Sequence, residues 1–322
     1  MNIVAAQAGG DVSKDEIVVC VKGSKPFKVK NAEEALREAA ERLPRPCVMH
    51  MERSGGYERL AARVFGAAGI QVRLHNPLKA RRLAQAVGAK AKTDAVDAEG
   101  LAKTGELLPV APAKSIERQK LADLSRAIET VKKTRTQYKK RQKMPEIDEG
   151  VKKAYQHVID SLTKEMKTLE KSFLVKVRAS SLAGRYKLML SVPDVGPVTA
   201  RICLCELPEN VLSVSESQIC SYAGLAPIDD SSGKHTGPSR IGHGNMRLKA
   251  GMYMSAMSAL RHQSWAKELY ARLLATGRTH QQAAVAIMRR QLVRVAAVTK
   301  RGTPWEPKPT ENLKKAQIPA AA

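Results

Sequence analysis

The chain has 322 residues, 43% of them hydrophobic, which is enough for two or three domains with cores of their own. Lys and Arg number 55 against 31 Asp and Glu, so the formal charge is +24, and the partner to expect is a polyanion such as a phosphate backbone. Aromatics at 4% are too few for broad base-stacking platforms, and no apolar run reaches the length of a membrane-spanning helix or makes a signal peptide, so a cytoplasmic location is expected and a membrane is not.

Ile3-Val4-Ala5-Ala6 begins an apolar run that Gly9-Gly10-Asp11 interrupts, and Ile17-Val18-Val19-Cys20-Val21 is a β-rich run too short for a helix. The two predict strand, turn, strand, with Asp11 at the end of the first strand, where a carboxylate can enter a site or merely serve a turn. Ala35, Leu36, Ala39, Ala40 and Leu43 recur at helical spacing behind Asn31, which is placed to cap a crossover helix. Pro46 to Glu52 reads as a short buried strand with Glu52 at its carboxyl end, followed by the Ser54-Gly55-Gly56-Tyr57 loop. In open α/β sheets chemistry gathers at such strand ends. A helix from Tyr57 to Ala68, a strand from Ile70 to Leu74, a turn at Asn76-Pro77 and a basic helix from Leu78 to Val87 complete a mixed α/β pattern.

Next comes Lys92-Thr93-Asp94-Ala95-Val96-Asp97. A helix beginning near Thr93 puts Asp94 and Asp97 on one face, with Cβ atoms roughly 5–6 Å apart. Like charges held so close suit a divalent cation or a basic partner, and a solvated first turn favoured by the helix dipole is the alternative.

From about Ser115 to Ser180 the pattern changes. Leu121, Leu124, Ile128 and Val131, then Val151, Tyr155, Val158, Leu162, Met166, Leu169 and Phe173, alternate at three and four residues. Met144-Pro145 and Gly150 break the run, so two long helices are predicted, as an antiparallel hairpin or a dimerising coiled coil. Lys132, Lys133, Arg135, Lys139, Lys140, Arg141 and Lys143 have few acids to balance them, and a phosphate-contacting face is expected there. Ser191 to Ala200 is similar to the turn of helix-hairpin-helix modules, although Asp194 stands where the first glycine is usual, which leaves a purely structural turn open. Helices from Trp265 to Leu274 and His280 to Val298 follow, and Pro304 to Ala322 reads as a loose tail. The cysteines, Cys20, Cys47, Cys203, Cys205 and Cys220, lack a zinc-ligand spacing and are expected to be reduced core residues.

Four stretches in the first hundred residues carry a resemblance: Gly10-Asp11-Val12-Ser13-Lys14, Met51-Glu52-Arg53-Ser54-Gly55-Gly56-Tyr57, His75-Asn76-Pro77, and Lys92 to Ala98. They are similar to the amino-terminal half of the DEDD transposases of the insertion-sequence-110 family and of the related Piv-type DNA invertases. The Gly9-Gly10 pair departs from the family's usual apolar residue before the first Asp and predicts a looser end to strand one. A second set, Ser221-Tyr222-Ala223-Gly224-Leu225-Ala226-Pro227, Ser231-Ser232-Gly233-Lys234, Ile241-Gly242-His243-Gly244-Asn245 and a helix with Arg247 and Met252-Tyr253-Met254, resembles the family's carboxyl-terminal domain.

The resemblance implies an α/β, ribonuclease-H-like (Holliday-junction-resolvase-like) catalytic domain over 1–110. A helical coiled-coil linker over 111–182, a mainly α transposase domain over 183–310 and a tail over 311–322 would follow. It implies Asp11, Glu52, Asp94 and Asp97 as catalytic, metal-holding residues, and oxygen-only ligands favour Mg²⁺ or Mn²⁺. It implies Ser232 as the nucleophile, with Ser231 the neighbour a one-residue slip would choose. His235 and His243 lie close in sequence, but no serine-histidine-aspartate geometry follows from that. The expected activity is DNA recombination through a phosphoserine link, on donor and target double-stranded DNA, by a homo-oligomer (dimer or tetramer) guided by a structured RNA. A Piv-like invertase without RNA, a metal-dependent junction nuclease using water, and a basic nucleic-acid-binding protein are the other readings.

Overall fold

In the computed structural model, which describes residues 5–88, 93–109, 114–228, 231–232, 235–237 and 240–306, the chain separates into two units, residues 1–113 and 114–322. Lys90, Lys92, Gly233, Lys234 and the expected tail at 311–322 lie outside the described residues.

The first unit is built on a five-stranded mixed sheet. Strands β1 (Ala6–Val12), β2 (Glu16–Val21) and β3 (Phe27–Lys30) form an antiparallel meander; helix α1 (Glu33–Arg42) then leads to β4 (Cys47–Glu52), and α2 (Glu58–Ala67) to β5 (Gln71–His75). The strand order is β3-β2-β1-β4-β5, with β4 parallel to β1 and β5 parallel to β4. Helices α3 (Pro77–Ala86) and α4 (Asp94–Thr104) follow.

Alternation along the strands decides the layering, because successive side chains point to opposite faces. Ala8, Val12, Ile17, Val19, Met49 and Met51 face a core closed by Leu36, Ala39 and Ala40 of α1 and by Ala61, Val64 and Phe65 of α2. The opposite face carries Gly9, Val18, Cys20 and His50, and α4 lies on it, with Ala98 packed against Val18 and Cys20.

Several expectations change here. Gly9-Gly10-Asp11 does not interrupt strand one or loosen its end, since β1 runs through to Val12, and Gly10 and Asp11 pair with Val19 and Val18. Gly9 is required where it stands: a Cβ there would lie 2.0 Å from the Ala98 carbonyl oxygen and 2.5 Å from the Ala102 nitrogen. Asn31 does not cap α1, whose cap position is Ala32; its amide donates to the carbonyls of Ser13 and Tyr57 and ties two loops together. Asn76-Pro77 is the start of α3, with the Asn76 side chain accepting from the Lys79 N–H and Pro77 in the first turn. The β3 strand was not anticipated.

The second unit begins with α5 (Ile116–Arg141) and α6 (Glu149–Arg178), which pair with each other in one antiparallel hairpin. Gln142 meets Gln156 at one end, Arg135 meets Thr163 midway, and Glu117 accepts from Ser181 at the other. Gly150 lies inside α6 and breaks nothing, and the Asp148 side chain caps that helix. The root of the hairpin, Leu121, Ile128, Phe173 and Val177, belongs to the same core as the helices that follow. These are α7 (Ala183–Leu190), α8 (Pro197–Glu206), α9 (Glu216–Tyr222), α10 (Met246–His262), α11 (Ser264–Ala275) and α12 (His280–Arg301). Between α9 and α10 the described residues include the short strands β6 (Pro227–Ile228), β7 (Ser231–Ser232), β8 (His235–Thr236) and β9 (Arg240–Ile241), paired as β6 with β9 and β7 with β8.

The turn between α7 and α8 is anchored to the core. Asp194 has φ 65°, a left-handed conformation that Asp tolerates better than most residues, and its carboxylate accepts from Ser258 of α10. Its carbonyl accepts from Ser255, and Gln291 of α12 donates to the carbonyl of Pro193, so the turn is sewn to two helices. The expected loose tail starts later than Pro304, because Trp305 packs on the core and its N–H donates to Ser191 Oγ at 2.7 Å.

Gly9→Ala will force α4 off the sheet and lower the unfolding free energy by about 1–3 kcal/mol, the usual cost of overpacking, in chemical denaturation. Gly66→Ala in α2, where a Cβ meets nothing within 4 Å, will instead raise it by about 0.5 kcal/mol through helix propensity.

Candidate active site

Asp11 is the penultimate residue of β1 and shares the face of Gly9, two residues back. Glu52 ends β4 and shares the face of His50 by the same alternation. Gly10 pairs with Met51 across the two parallel strands, so Asp11 and Glu52 stand at the next step, side by side at the carboxyl ends of neighbouring strands. The face they occupy is the one α4 covers, and Asp94 and Asp97 lie in the first turn of α4. Thr93 caps that turn through its side chain, which accepts from the Val96 N–H at 3.3 Å. All four carboxylates therefore belong to one face and one end of the sheet, and two of them are also favoured by a helix N-terminus.

Cations accompany them. Arg81 of α3 donates to Asp97 at 3.1 Å, with both side chains partly exposed. Lys28 of β3 is held in its charged form first by its 2.7 Å bond to Glu16 and more weakly by Asp94. Among the described residues no three His, Cys, Asp or Glu side chains are gathered into a metal-sized cluster. Topology thus sets Asp11 and Glu52 at neighbouring strand ends on the face that α4 covers, without gathering the four acids into a cluster, and the carboxylate of Asp97 is turned to an arginine. The donor set itself, four carboxylates and no thiolate, suits a hard cation.

The buried contacts of His50, His75 and Glu58 were not read from the sequence, although His75 stands in one of the motif stretches. His75 pairs with Glu52 in the sheet register, and its Nε2 lies 2.9 Å from Nδ1 of the buried His50. Gln7 donates to the Ala5 carbonyl, so its Oε1 faces His50 Nε2 at 2.8 Å, which puts the His50 proton on Nε2 and makes Nδ1 the acceptor from His75. Burial, then the neighbouring His75 and Arg73, lowers His50 to about 4, and burial lowers His75 as well, so the stacked pair is neutral at pH 7. Beyond Glu52, the buried Glu58 accepts from the N–H groups of Ser54 and Gly56 at 3.1 and 2.8 Å and fixes the loop whose Gly55 and Gly56 have φ 75° and 122°.

Ser231 and Ser232 lie in the second unit, in the short ribbon between α9 and α10. Ser231 pairs with Thr236 and Ser232 with His235, and Ser232 is exposed. The stem is tight. Gly224 has φ 71°, and a Cβ on Gly244 would fall 2.2 Å from the Gly224 nitrogen. The Asn245 N–H donates to the Tyr222 carbonyl at 2.9 Å. An exposed hydroxyl on a ribbon closed at its base is open to a large substrate.

Two family models match the chain. One, described as a transposase of the DEDD, IS110 type, covers residues 8–144; the other, Transposase IS116/IS110/IS902 family, covers residues 186–271. The chain belongs to the IS110 family of transposases. A pilin gene-inverting protein of Moraxella lacunata is 28% identical over 269 residues, 80% of this chain and 81% of that protein. An uncharacterized 43.6 kDa protein of insertion element IS110 from Streptomyces coelicolor is 32% identical over 120 residues, 37% of this chain and 30% of that protein, so the match spans less than a third of that relative.

In this IS110-family chain the first model contains all four acids and the second contains both serines. Glu58→Ala will leave two loop N–H groups without their acceptor and cost about 1–3 kcal/mol in unfolding free energy, whereas Glu58→Gln, which keeps one carbonyl acceptor, will cost less.

Proposed function

We propose that this chain is a DNA recombinase, a transposase or invertase, in which Asp11, Glu52, Asp94 and Asp97 hold Mg²⁺ or Mn²⁺ and Ser232 is the nucleophile, with Ser231 as its alternate. What supports the reading above all is the placement of the four acids at one end of one sheet face. The sheet order, an antiparallel meander extended on its other side by two parallel strands, supports a ribonuclease-H-like fold for residues 1–110, followed by a hairpin linker and a mainly α domain with a helix-hairpin-helix-like turn.

The bound cation would supply charge neutralisation at the phosphodiester and at the departing oxygen. Asp97 would have to exchange the Arg81 guanidinium, with which it forms a partly exposed ion pair, for the cation. Ser232 Oγ forms the new bond to phosphorus as the bond from phosphorus to a DNA oxygen breaks. The serine proton is released and the departing oxygen leaves as a hydroxyl. One phosphoester replaces another, so the link to DNA can be reversed without an external energy source.

The basic run of the hairpin supports a polyanion partner. Lys132, Lys133, Lys139, Lys140, Arg141 and Lys143 are exposed, whereas Arg135 is turned inward to Thr163. Double-stranded DNA, donor and target, and a structured guide RNA are the proposed ligands of a dimer or tetramer. The match to a pilin gene-inverting protein supports inversion as the second reading, in the form of an invertase that uses no guide RNA. RNA that co-purifies with the protein and is encoded beside its gene supports the first reading, and its absence the second.

Ser232→Ala will abolish the covalent protein-DNA adduct, and Asp11→Ala will abolish strand cleavage in Mg²⁺. An adduct that persists in both Ser232→Ala and Ser231→Ala overturns the nucleophile. Cleavage that survives Ser232→Ala and is lost in Asp94→Ala identifies a nuclease using water. Replacing Lys139, Lys140 and Lys143 by Ala will flatten the slope of log affinity against log salt by about 2–3 for duplex DNA.

A further inference from the structure

The ribbon that carries Ser231 and Ser232 is returned to the helical core at Asn245, and the side chain of Asn245 has two partners. Its Oδ1 accepts from the Leu248 N–H at 3.1 Å and caps α10, and its Nδ2 donates to Glu206 Oε2 at 2.9 Å. The two partners fix the orientation of the amide, because only the oxygen can face an N–H and only the nitrogen can face a carboxylate.

Glu206 is the last residue of α8 and is 5% exposed. A carboxylate so buried needs partners. Besides Asn245 it has Lys114 Nζ at 3.5 Å, and Lys114 also donates to the Cys205 carbonyl at 2.6 Å. Burial lowers the Lys114 pKa, and Glu206 opposes that shift. Arg118, 3% exposed, donates to the carbonyls of Leu204 and Leu207 and to Glu209. The start of α5 therefore clamps the end of α8, where the free carbonyls and the helix dipole favour cations. A second tie reaches the returning strand from α10, Lys249 Nζ donating to the Gly242 carbonyl at 3.0 Å.

We infer that Glu206 and Asn245, backed by Lys114, are positioning residues that fix the stem of the ribbon and so aim its serine. A well-capped α10 could be had from Asn, Asp, Ser or Thr alike. Of these, Asn alone carries its donor on a different atom from its capping acceptor, so it reaches a buried carboxylate on another helix while it caps, whereas a Ser or Thr hydroxyl must serve from one shorter-reaching oxygen; the pair links the ribbon's base to the hairpin root through α8. That the aimed group is a serine rests on the function proposed above; that the stem is held this way does not.

Asn245→Ser keeps the cap and removes the amide donor that reaches Glu206. Asn245→Asp keeps the cap and sets a second carboxylate against Glu206. Combining Asn245→Asp with Glu206→Gln exchanges donor and acceptor and restores one hydrogen bond. In the full-length protein, Asn245→Ser will lower the melting temperature modestly, because Glu206 loses a donor, leave DNA affinity near wild type, slow single-turnover adduct formation about tenfold through misplacement of the hydroxyl, and speed amide exchange in the ribbon while α10 is unchanged. Asn245→Asp will be slower still, and the double exchange will recover most of the rate. Ribbon exchange that does not change in Asn245→Ser overturns the inference whatever the nucleophile is, and so does faster exchange with a wild-type adduct rate. A wild-type adduct that survives Ser232→Ala and Ser231→Ala removes the serine reading instead, and the exchange measurement still decides whether the pair holds the stem.

Discussion

The contact on which the first unit depends is α4 lying directly on β1 at Gly9. No side chain fits between them: the carbonyl of Ala98 and the nitrogen of Ala102 occupy the volume a Cβ would need. Glycine costs conformational entropy, about 0.5–1 kcal/mol relative to Ala in a regular element, and here the cost is met by a contact available to no other residue. Its effect is positional. With the helix body seated on Gly9, its capped first turn belongs to the face on which Asp11 and Glu52 end their strands, so elements more than eighty positions apart in the chain share one face of the sheet.

The second unit uses the same device on a smaller scale. Gly224 and Gly244 touch backbone to backbone, which closes the base of the segment whose described residues form the short strand pairs. Buried charge then locks the base, Lys114 and Arg118 holding the end of α8, and Glu206 holding Asn245. Single-partner loss in such a network leaves an uncompensated charge, which is why its members behave as a set and not as independent contacts.

Much of this was legible in the sequence. Period-two and period-3.6 runs marked β1, β2, β4, β5 and most helices, and the strand-end positions of Asp11 and Glu52 and the first turn with Asp94 and Asp97 followed from them. The misreadings have local causes. Phe27–Lys30 is a four-residue edge strand, and two apolar residues cannot establish a period. Gly9-Gly10 was read as a break because glycine usually marks one, and only the helix packed above it explains its presence inside a strand. Asn31 has the residue type of a helix cap, yet its amide serves two distant carbonyls, a tertiary choice that propensity does not encode. His75 and Asn245 were read only as parts of motifs, without their contacts, and His50 and Glu206 were not singled out, because each acts through a partner far away in sequence, although a polar residue inside a buried strand, as His50 is in β4, was the available signal.

All five thiols are buried, and burial pushes Cys205 up to about 12 and raises the other four. Such groups stay protonated and are poor targets for oxidants and alkylating reagents. The native surface is thus chemically silent toward maleimides and disulfide exchange, and a single cysteine placed on the ribbon would be the one reactive sulfur in the protein, a reporter of that segment's surroundings that needs no prior removal of the natural ones.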